Sequence, residues 1–205
     1  MKERRDRERL ELRHAILEAA RKIAATEGWQ AVTIRKVAEM IEYSPPTIYE
    51  YFESKEAILA EEMREGFRLL LAALKTAMDG HADPRERLSA MGRAYWDFVW
   101  QHPELYQVIS GLGGCAFCEE GKPDELNHKA EGEKVKVLFR DVLQALLPAQ
   151  RNVDELTDKC VTLWSLYHGF IALLMAGRIP MDARDQALGL AHQAVEDLLT
   201  VWRAA

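Results

Sequence analysis

Apolar residues recur every three or four positions along most of this chain, which is the spacing of one face of an α-helix. The first such stripe begins near residue 9 and consists of Leu12, Ala15, Ile16, Ala19, Ala20, Ile23 and Ala24. Gly28 follows it, and a glycine just past the last apolar position predicts a helix end with a left-handed cap. No segment alternates as a strand would, so we predict an all-α protein with about nine helices.

A second, shorter helix is predicted directly after Gly28. Thr33 is a residue type that caps helix N-termini, because its hydroxyl accepts a bond from a free backbone N–H. The apolar periodicity then continues through Ile34, Val37, Ala38 and Ile41. This spacing indicates a helix of about two turns.

The next stretch, SPPTIYEYF, predicts a third helix with an unusual start. A residue before proline avoids the helical conformation, so Ser44 and Pro45 should be extended and the helix should begin near Pro46 or Thr47. Ile48 and Phe52 lie four apart and share the face that should meet the core. Two short helices joined by a tight turn after a longer helix predict a helix-turn-helix.

The rest of the chain predicts longer helices. Ser54 is a candidate cap for a helix that continues to Met78, and Asp83-Pro84 signals the start of another. A glycine-rich stretch, residues 111–125, indicates a loop. Further helices are predicted at about 125–147, at 153–176 with Gly177 as its cap, and after residue 182.

Charge is distributed unevenly over the 205 residues. The net charge is −6, but residues 1–55 hold 11 Lys or Arg and 10 Asp or Glu, so the N-terminal part is slightly basic. The segment MKERRDRERLELR is either a solvated helix face or a phosphate-contacting arm. The longest apolar run, Leu163–Gly177, is too short to span a bilayer, no signal sequence is visible, and the three cysteines favour reduced thiols, so we expect a cytoplasmic protein.

Residues 16–59 resemble the TetR family of bacterial transcriptional regulators. The most specific part is the run T-I-x-x-V-A, then S-P-x-T-I-Y-x-Y-F, then S-K-E-x-I-L, with all spacings intact. The segment LWSLYHGFIALL, with Trp164, His168 and Gly169, also resembles the ligand-binding subgroup named for a W, H and G motif. The resemblance implies a helix-turn-helix DNA-binding domain at residues 1–55 and a ligand-binding and dimerisation domain at residues 56–205.

The resemblance also implies a homodimer that binds a palindromic operator in double-stranded DNA, most often as a repressor, with the short third helix in the major groove. The residues matching family positions that contact DNA are Thr33, Tyr43, Ser44, Pro45, Pro46, Thr47, Tyr49, Tyr51 and Lys55. Of these, Thr33, Thr47, Tyr49 and Lys55 match phosphate contacts, whereas Ser44 to Pro46 and Tyr51 match positions near base edges. Glu50 departs from what a polyanion favours: it either accepts a bond from a cytosine amino group or is a solvent-facing carboxylate.

The resemblance further implies a small apolar effector among the helices of the C-terminal part. Aromatic residues are abundant there, and each of them either packs in the core or contacts the ligand. The candidate ligand-binding residues are Phe67, Tyr95, Trp96, Val99, Tyr106, Phe117, Trp164, Tyr167 and His168. The last two helices are apolar almost all round, which suits a buried dimer interface. The candidate interface residues are Trp164, Phe170, Ile171, Leu174, Leu198 and Trp202.

Three other functions remain open from the residues alone. Cys115 and Cys118 form a C-x-x-C pair that could sense metal or redox state, although zinc would need further ligands such as Cys160, His128 or His102. An enzyme is disfavoured because no nucleophile motif or phosphate-binding loop is present. An architectural DNA binder would need a more basic chain. We therefore expect no cofactor, no metal and no catalytic activity, and the alternative is a metal- or redox-responsive regulator that senses through Cys115 and Cys118.

Overall fold

A computed structural model describes residues 2–111, 125–147 and 152–204 of the chain. These residues form nine α-helices and no strand, which confirms the all-α prediction for the described part. The helices are α1 (Lys2–Glu27), α2 (Ile34–Met40), α3 (Pro45–Tyr49), α4 (Lys55–Met78), α5 (Pro84–Gln101), α6 (Pro103–Ile109), α7 (Glu125–Leu146), α8 (Val153–Met175) and α9 (Arg184–Ala204). Short 3-10 turns at Trp29–Ala31 and Met181–Ala183 precede α2 and α9.

The chain divides into two compact units. The N-terminal unit comprises residues 1–69 and 101–131, and the C-terminal unit comprises residues 70–100 and 132–205. The predicted division at residues 55 and 56 stays a prediction. No helix in the part of the chain that the structure describes is both long enough and apolar enough to cross a membrane.

The core of the N-terminal unit is built mainly from small and branched apolar residues of α1 to α4. Ile16, Ala20, Val37, Ile48 and Ile58 are almost fully buried in it, and Val108 of α6 joins the same cluster. The Trp29 indole N–H donates to the Glu104 carbonyl at 2.9 Å, which fastens α6 to the turn before α2. A Cβ at Gly66 would lie 2.8 Å from Ile109 Cγ2, so α4 and α6 can approach this closely only because position 66 is glycine.

Larger side chains fill the C-terminal unit. Trp96 is 1% exposed, and Trp96 and Trp100 of α5 meet edge to face with their ring centroids 5.9 Å apart. Leu156 and Ile171 of α8 and Ala191 of α9 are also buried. This unit therefore relies on aromatic and aliphatic packing between long helices.

Three local predictions differ from the structure. Helix α1 begins at Lys2 and not near residue 9, because charged residues with high helix propensity and an Arg4–Glu8 pair at 3.3 Å continue the helix without an apolar stripe. Helix α3 begins at Pro45, so only Ser44 takes the extended conformation before proline. Gly28 has φ 82° and ψ 160°, so its φ is positive but its conformation is not the left-handed cap.

Candidate nucleic-acid interface

The turn between α2 and α3 closes through a helix-capping motif. The Glu42 N–H donates to the Glu39 carbonyl at 3.2 Å and the Tyr43 N–H donates to the Ala38 carbonyl at 2.9 Å. These two hydrogen bonds form the pattern that accompanies a left-handed residue just past a helix C-terminus. Glu42 is that residue, with φ 59°. The left-handed conformation is strained for a residue that has a Cβ, as Glu42 does. The contacts around the turn must therefore keep Glu42 in this conformation.

Helix α3 is short but firmly anchored. Its first residue, Pro45, has no N–H to leave unpaired and a φ already suited to a helix. The side chain of Ile48 is fully buried and Phe52, just past the helix, is 4% exposed, which confirms that both face the core. Anchoring by these two residues leaves the opposite face of α3 exposed.

The exposed face of α3 carries aromatic, hydroxyl and proline groups. Tyr43 is 50% and Tyr49 56% exposed, and Pro45 and Pro46 are exposed beside them. The hydroxyls of Ser44 and Thr47 lie 3.0 Å apart, so one donates to the other and one proton remains for an outside acceptor.

Tyr51 lies beyond the end of α3 and is placed differently from Tyr49. It is half-buried and packs against the core cluster. Glu50 is the C-cap of α3 and is exposed.

Thr33 and Lys55, both predicted phosphate contacts, each form a hydrogen bond within the protein and retain N–H or O–H groups that can donate to a phosphate. Thr33 Oγ1 accepts the Lys36 N–H at 3.2 Å, which confirms its capping role and leaves its hydroxyl proton free. The Lys55 ammonium donates to the Gln30 carbonyl at 3.1 Å and keeps two further N–H groups. Ser54 caps α4 as predicted, accepting the Ala57 N–H at 3.2 Å.

Arg35 is a candidate contact that the sequence analysis did not single out. It is exposed in the first turn of α2 and forms no ion pair with a residue that the structure describes. By contrast, its neighbour Lys36 is bonded to Glu27 at 2.6 Å. The sequence feature that could have identified Arg35 is a cation two positions after the capping residue Thr33.

A buried carboxylate lies inside the N-terminal unit. Glu62 of α4 is fully buried, with Oε2 accepting from Arg21 Nε at 2.5 Å and Oε1 without a hydrogen-bond partner among the described residues. Burial raises the pKa of Glu62 to about 7, outweighing the Arg21 guanidinium. Burial also acts on its neighbour Glu61, but hydrogen bonds from Arg13 and Arg64 outweigh it there and lower the pKa.

In the C-terminal unit, several candidate ligand residues form one aromatic cluster. The Trp164 indole N–H donates to the Tyr95 hydroxyl at 3.2 Å, and the Tyr95 and Tyr167 rings meet edge to face at 6.3 Å. Trp164 also packs against His168 in a tilted arrangement, with ring centroids 5.0 Å apart. His192 of α9, not predicted, meets Tyr167 at 5.9 Å. Burial lowers the pKa of both histidines, which favours their neutral forms.

The other candidate ligand residues are not brought into this cluster. Trp96 and Val99 are buried in the C-terminal unit, and Tyr106 is fully buried in the N-terminal unit. Phe67 is half-buried in the N-terminal unit. Phe117 lies outside the described residues.

The candidate dimer residues fall into two groups. Ile171 and Leu174 are 0% and 2% exposed within the single chain, so they pack into its own core and offer little to a partner. Trp164 is 46% exposed, and Phe170, Leu198 and Trp202 are half-buried. Val161, Leu190 and Val201, which were not predicted, are 52%, 53% and 63% exposed on α8 and α9.

The predicted C-x-x-C pair, Cys115 and Cys118, lies outside the described residues. Within the described ranges, no group of three or more His, Cys, Asp or Glu side chains is arranged to hold a metal ion. Cys160 is a free thiol, and burial raises its pKa to about 11, against a smaller opposing effect of Arg140. This thiol is therefore protonated and unreactive near neutral pH.

An exposed short helix, held by a tight turn on a compact three-helix core, defines the N-terminal unit as a helix-turn-helix module. Residues 16–61 match the family described as bacterial regulatory proteins, tetR family, and residues 88–198 match the tetracyclin repressor-like C-terminal domain. The chain belongs to the TetR family of bacterial regulatory proteins.

Individual relatives agree with this assignment. The chain is 36% identical over 81 residues to the HTH-type transcriptional regulator BetI of Rhizobium meliloti, covering 40% of each protein. It is 35% identical over 118 residues to the HTH-type transcriptional repressor KstR of Mycolicibacterium smegmatis, covering 58% of this chain and 57% of the relative. The chain thus spans about half the length of the curated relatives it matches.

The fold is shared with solved structures over most of the chain. The TetR family transcriptional regulator PfmR from Thermus thermophilus superposes with a TM-score of 0.65 at 22% identity, covering 88% of this chain and 96% of that one.

Proposed function

We propose that this protein is a DNA-binding transcriptional regulator that represses genes from a near-palindromic operator bound by its homodimer. The observation that carries the proposal is the exposed face of α3. Two half-exposed tyrosines and the hydroxyls of Ser44 and Thr47 lie on α3 or directly before it, and Ile48 and Phe52 anchor this helix to the core. Hydroxyl and ammonium donors position such a module on phosphates, and apolar groups such as Pro46 can contact a thymine methyl.

Selection of duplexes from a random pool by the purified protein tests this function. We expect an enriched near-palindrome whose half-sites lie about one helical turn apart, about 34 to 36 Å. Titration of the enriched duplex at several salt concentrations should show affinity falling steeply as salt rises. No enrichment at low salt contradicts the proposal.

A homodimer is the proposed active form, joined through α8 and α9 of the C-terminal unit. Exposed apolar residues on both helices support it, namely Val161, Trp164, Leu190 and Val201. Leu190 and Val201 lie eleven positions apart, which is three turns along one face of α9. Such apolar side chains on paired helices would become buried against a second copy.

Placing two charges on that face tests the interface. We expect the Leu190→Glu/Val201→Glu double variant to be a monomer by light scattering and to lose affinity for the palindrome. Leu10→Glu is the matched control for the oligomeric state alone, because Leu10 is 59% exposed on α1 of the other unit and this variant should remain a dimer. A double variant that remains dimeric contradicts this interface.

A small apolar effector is proposed to bind in the C-terminal unit near the Tyr95, Trp164 and Tyr167 cluster. Aromatic rings with polar tips support this, because they combine apolar area with groups that orient a ligand. The effector acts by preferring the dimer conformation that does not bind DNA, and each 1.4 kcal/mol of preference weakens DNA binding about tenfold.

A screen of apolar small molecules for release of the selected duplex tests the effector site. A compound that releases the wild-type protein should act much less on a Tyr95→Leu variant, because Tyr95 belongs to the cluster and, at 6% exposure, not to the proposed dimer interface. A compound that releases both proteins equally contradicts the assignment of this cluster.

A further inference from the structure

A polar groove lies beside α3 in the N-terminal unit. It is open to solvent, with a volume of about 600 Å³, and its lining residues are Arg5, Glu8, Arg9, Leu12, Tyr43, Glu50 and Tyr51. The α1 residues among them are spaced three and four positions apart, so they share one face of that helix. The groove therefore places the first turns of α1 opposite the residues that flank α3.

Arg9 is positioned in this groove by an aromatic ring. Its guanidinium carbon lies 5.9 Å from the centroid of the Tyr51 ring, within the range of a cation–π interaction. Tyr51 is itself held, because it packs against the core of the unit. The ring thus restrains an exposed arginine close to the end of α3.

The groove supplies positive charge that α3 lacks. Helix α3, with the sequence PPTIY, contains no Lys or Arg, and Glu50 follows it directly. Arg5 and Arg9 are both exposed. Of the two acidic residues in the groove, Glu8 is paired with Arg4 at 3.3 Å, so one carboxylate, Glu50, remains against two arginines in the lining. The remaining charge of the groove is therefore positive, which favours binding of an anion.

We propose that Arg5 and Arg9 bind the phosphate backbone of operator DNA alongside α3, and that Tyr51 positions Arg9 and does not itself read a base. This inference rests on the proposed DNA-binding function. An arginine fork can donate two parallel hydrogen bonds to one phosphate, which fixes the register of the protein on the duplex. The contact provides from α1 the charge neutralisation that the recognition helix does not provide.

Salt-dependent titration of the selected duplex tests the two arginines. Each phosphate contact removed should make the slope of log affinity against log salt shallower by about 0.9. Because the proposed dimer carries each arginine twice, we expect a change of about 1.8 for Arg5→Gln and for Arg9→Gln, and about twice that change for the double variant. Arg7→Gln is the matched control: Arg7 is two positions from each, on nearly the opposite side of α1, so its slope should equal that of the wild type.

The role of Tyr51 is separated from base reading by a conservative change. Tyr51→Phe keeps the ring that holds Arg9, so both the salt slope and the selected base profile should be unchanged. An altered base profile with Tyr51→Phe would show that its hydroxyl reads a base and would overturn the positioning role.

The outcomes distinguish this inference from the function on which it rests. If the wild-type protein binds its selected duplex steeply but Arg5→Gln and Arg9→Gln keep the wild-type slope, the groove is not a phosphate contact. If Arg7→Gln changes the slope as much as they do, the effect is general charge and the groove assignment is overturned. If the wild-type protein enriches no duplex, the proposed function fails and the groove contact fails with it.

Discussion

The tyrosines beside α3 in the N-terminal unit and those of the aromatic cluster in the C-terminal unit are placed in opposite ways. In the N-terminal unit, Tyr43 just before α3 and Tyr49 at its end are at least half exposed. In the C-terminal unit, Tyr95 and Tyr167 are 6% and 7% exposed and interlock with each other. A surface of the first kind can meet a partner without rearranging, whereas a site of the second kind must open before a ligand can enter.

The strongest test of this contrast exchanges one tyrosine from each unit for alanine. Tyr167→Ala should lower the free energy of unfolding by about 3 to 5 kcal/mol, because a large buried ring is lost. Tyr49→Ala should change it by no more than about 0.5 kcal/mol, because the side chain is mostly in solvent. Urea unfolding measures both free energies, and similar losses of stability in the two variants would contradict the contrast between the buried and the exposed tyrosines.

Glu62 is the exception to the apolar interior of the N-terminal unit, and its charge should make stability depend on pH. The pKa of Glu62 in the folded protein, about 7, lies above the ordinary value of 4.5. Its stabilising contribution to the free energy of unfolding is therefore fully present below pH 4.5 and is lost as pH rises towards and through 7. The total loss is roughly 3 kcal/mol. Glu62→Gln should remove this dependence and be more stable than the wild type at pH 8.

The neighbouring Glu61→Gln is the control for that experiment. Because the pKa of Glu61 is lowered, its contribution has the opposite sign: it is present at neutral pH and lost as pH falls below the ordinary value. The difference in unfolding free energy between each variant and the wild type should therefore change with pH in opposite directions. A difference that stays constant from pH 4.5 to 8 for Glu62→Gln would refute the buried titration.

Packing around Tyr167 gives a smaller effect. A Cβ at Gly92 would lie 2.7 Å from Tyr167 Cζ and closer still to its hydroxyl, so the ring must move. Gly92→Ala should cost about 1 to 3 kcal/mol. In α9, Gly189 has open space around it, so Gly189→Ala should instead stabilise by about 0.5 to 1 kcal/mol. Equal effects of the two alanines on the thermal midpoint would contradict tight packing at Tyr167.

The smallest effect is expected at the turn before α3. Glycine at position 42 would relieve the positive φ of Glu42, so Glu42→Gly should stabilise the protein by up to about 1 kcal/mol. The same change in Ala24, which is helical and buried, should destabilise it. A loss of stability in Glu42→Gly would show that the turn is not strained.

The helix-turn-helix could be predicted from the sequence because its determinants are local. Thr33 and Ser54 cap helices within three residues, and Ile48 and Phe52 meet the core at the spacing of one helical turn. The start of α1 was missed because charged residues form that helix without an apolar stripe. Ion pairs between residues far apart in sequence, such as Arg21 and Glu62, have no local sequence pattern and could not be predicted.

The C-terminal unit shows the same limit more strongly. Ile171 and Leu174 were predicted to face a second copy, because their helix is apolar almost all round. Tertiary packing buries them within the chain and leaves Val161 exposed instead. An apolar sequence identifies helices that will be buried, but the choice between the chain's own core and a partner is made by packing.

Titration of the selected duplex with a Thr47→Ala/Tyr49→Ala variant tests whether the exposed face of α3 binds DNA. We expect affinity at least about tenfold weaker, equivalent to about 1.4 kcal/mol, with an unchanged urea midpoint. Wild-type affinity in a folded variant would contradict the claim and place the DNA contact elsewhere on the molecule.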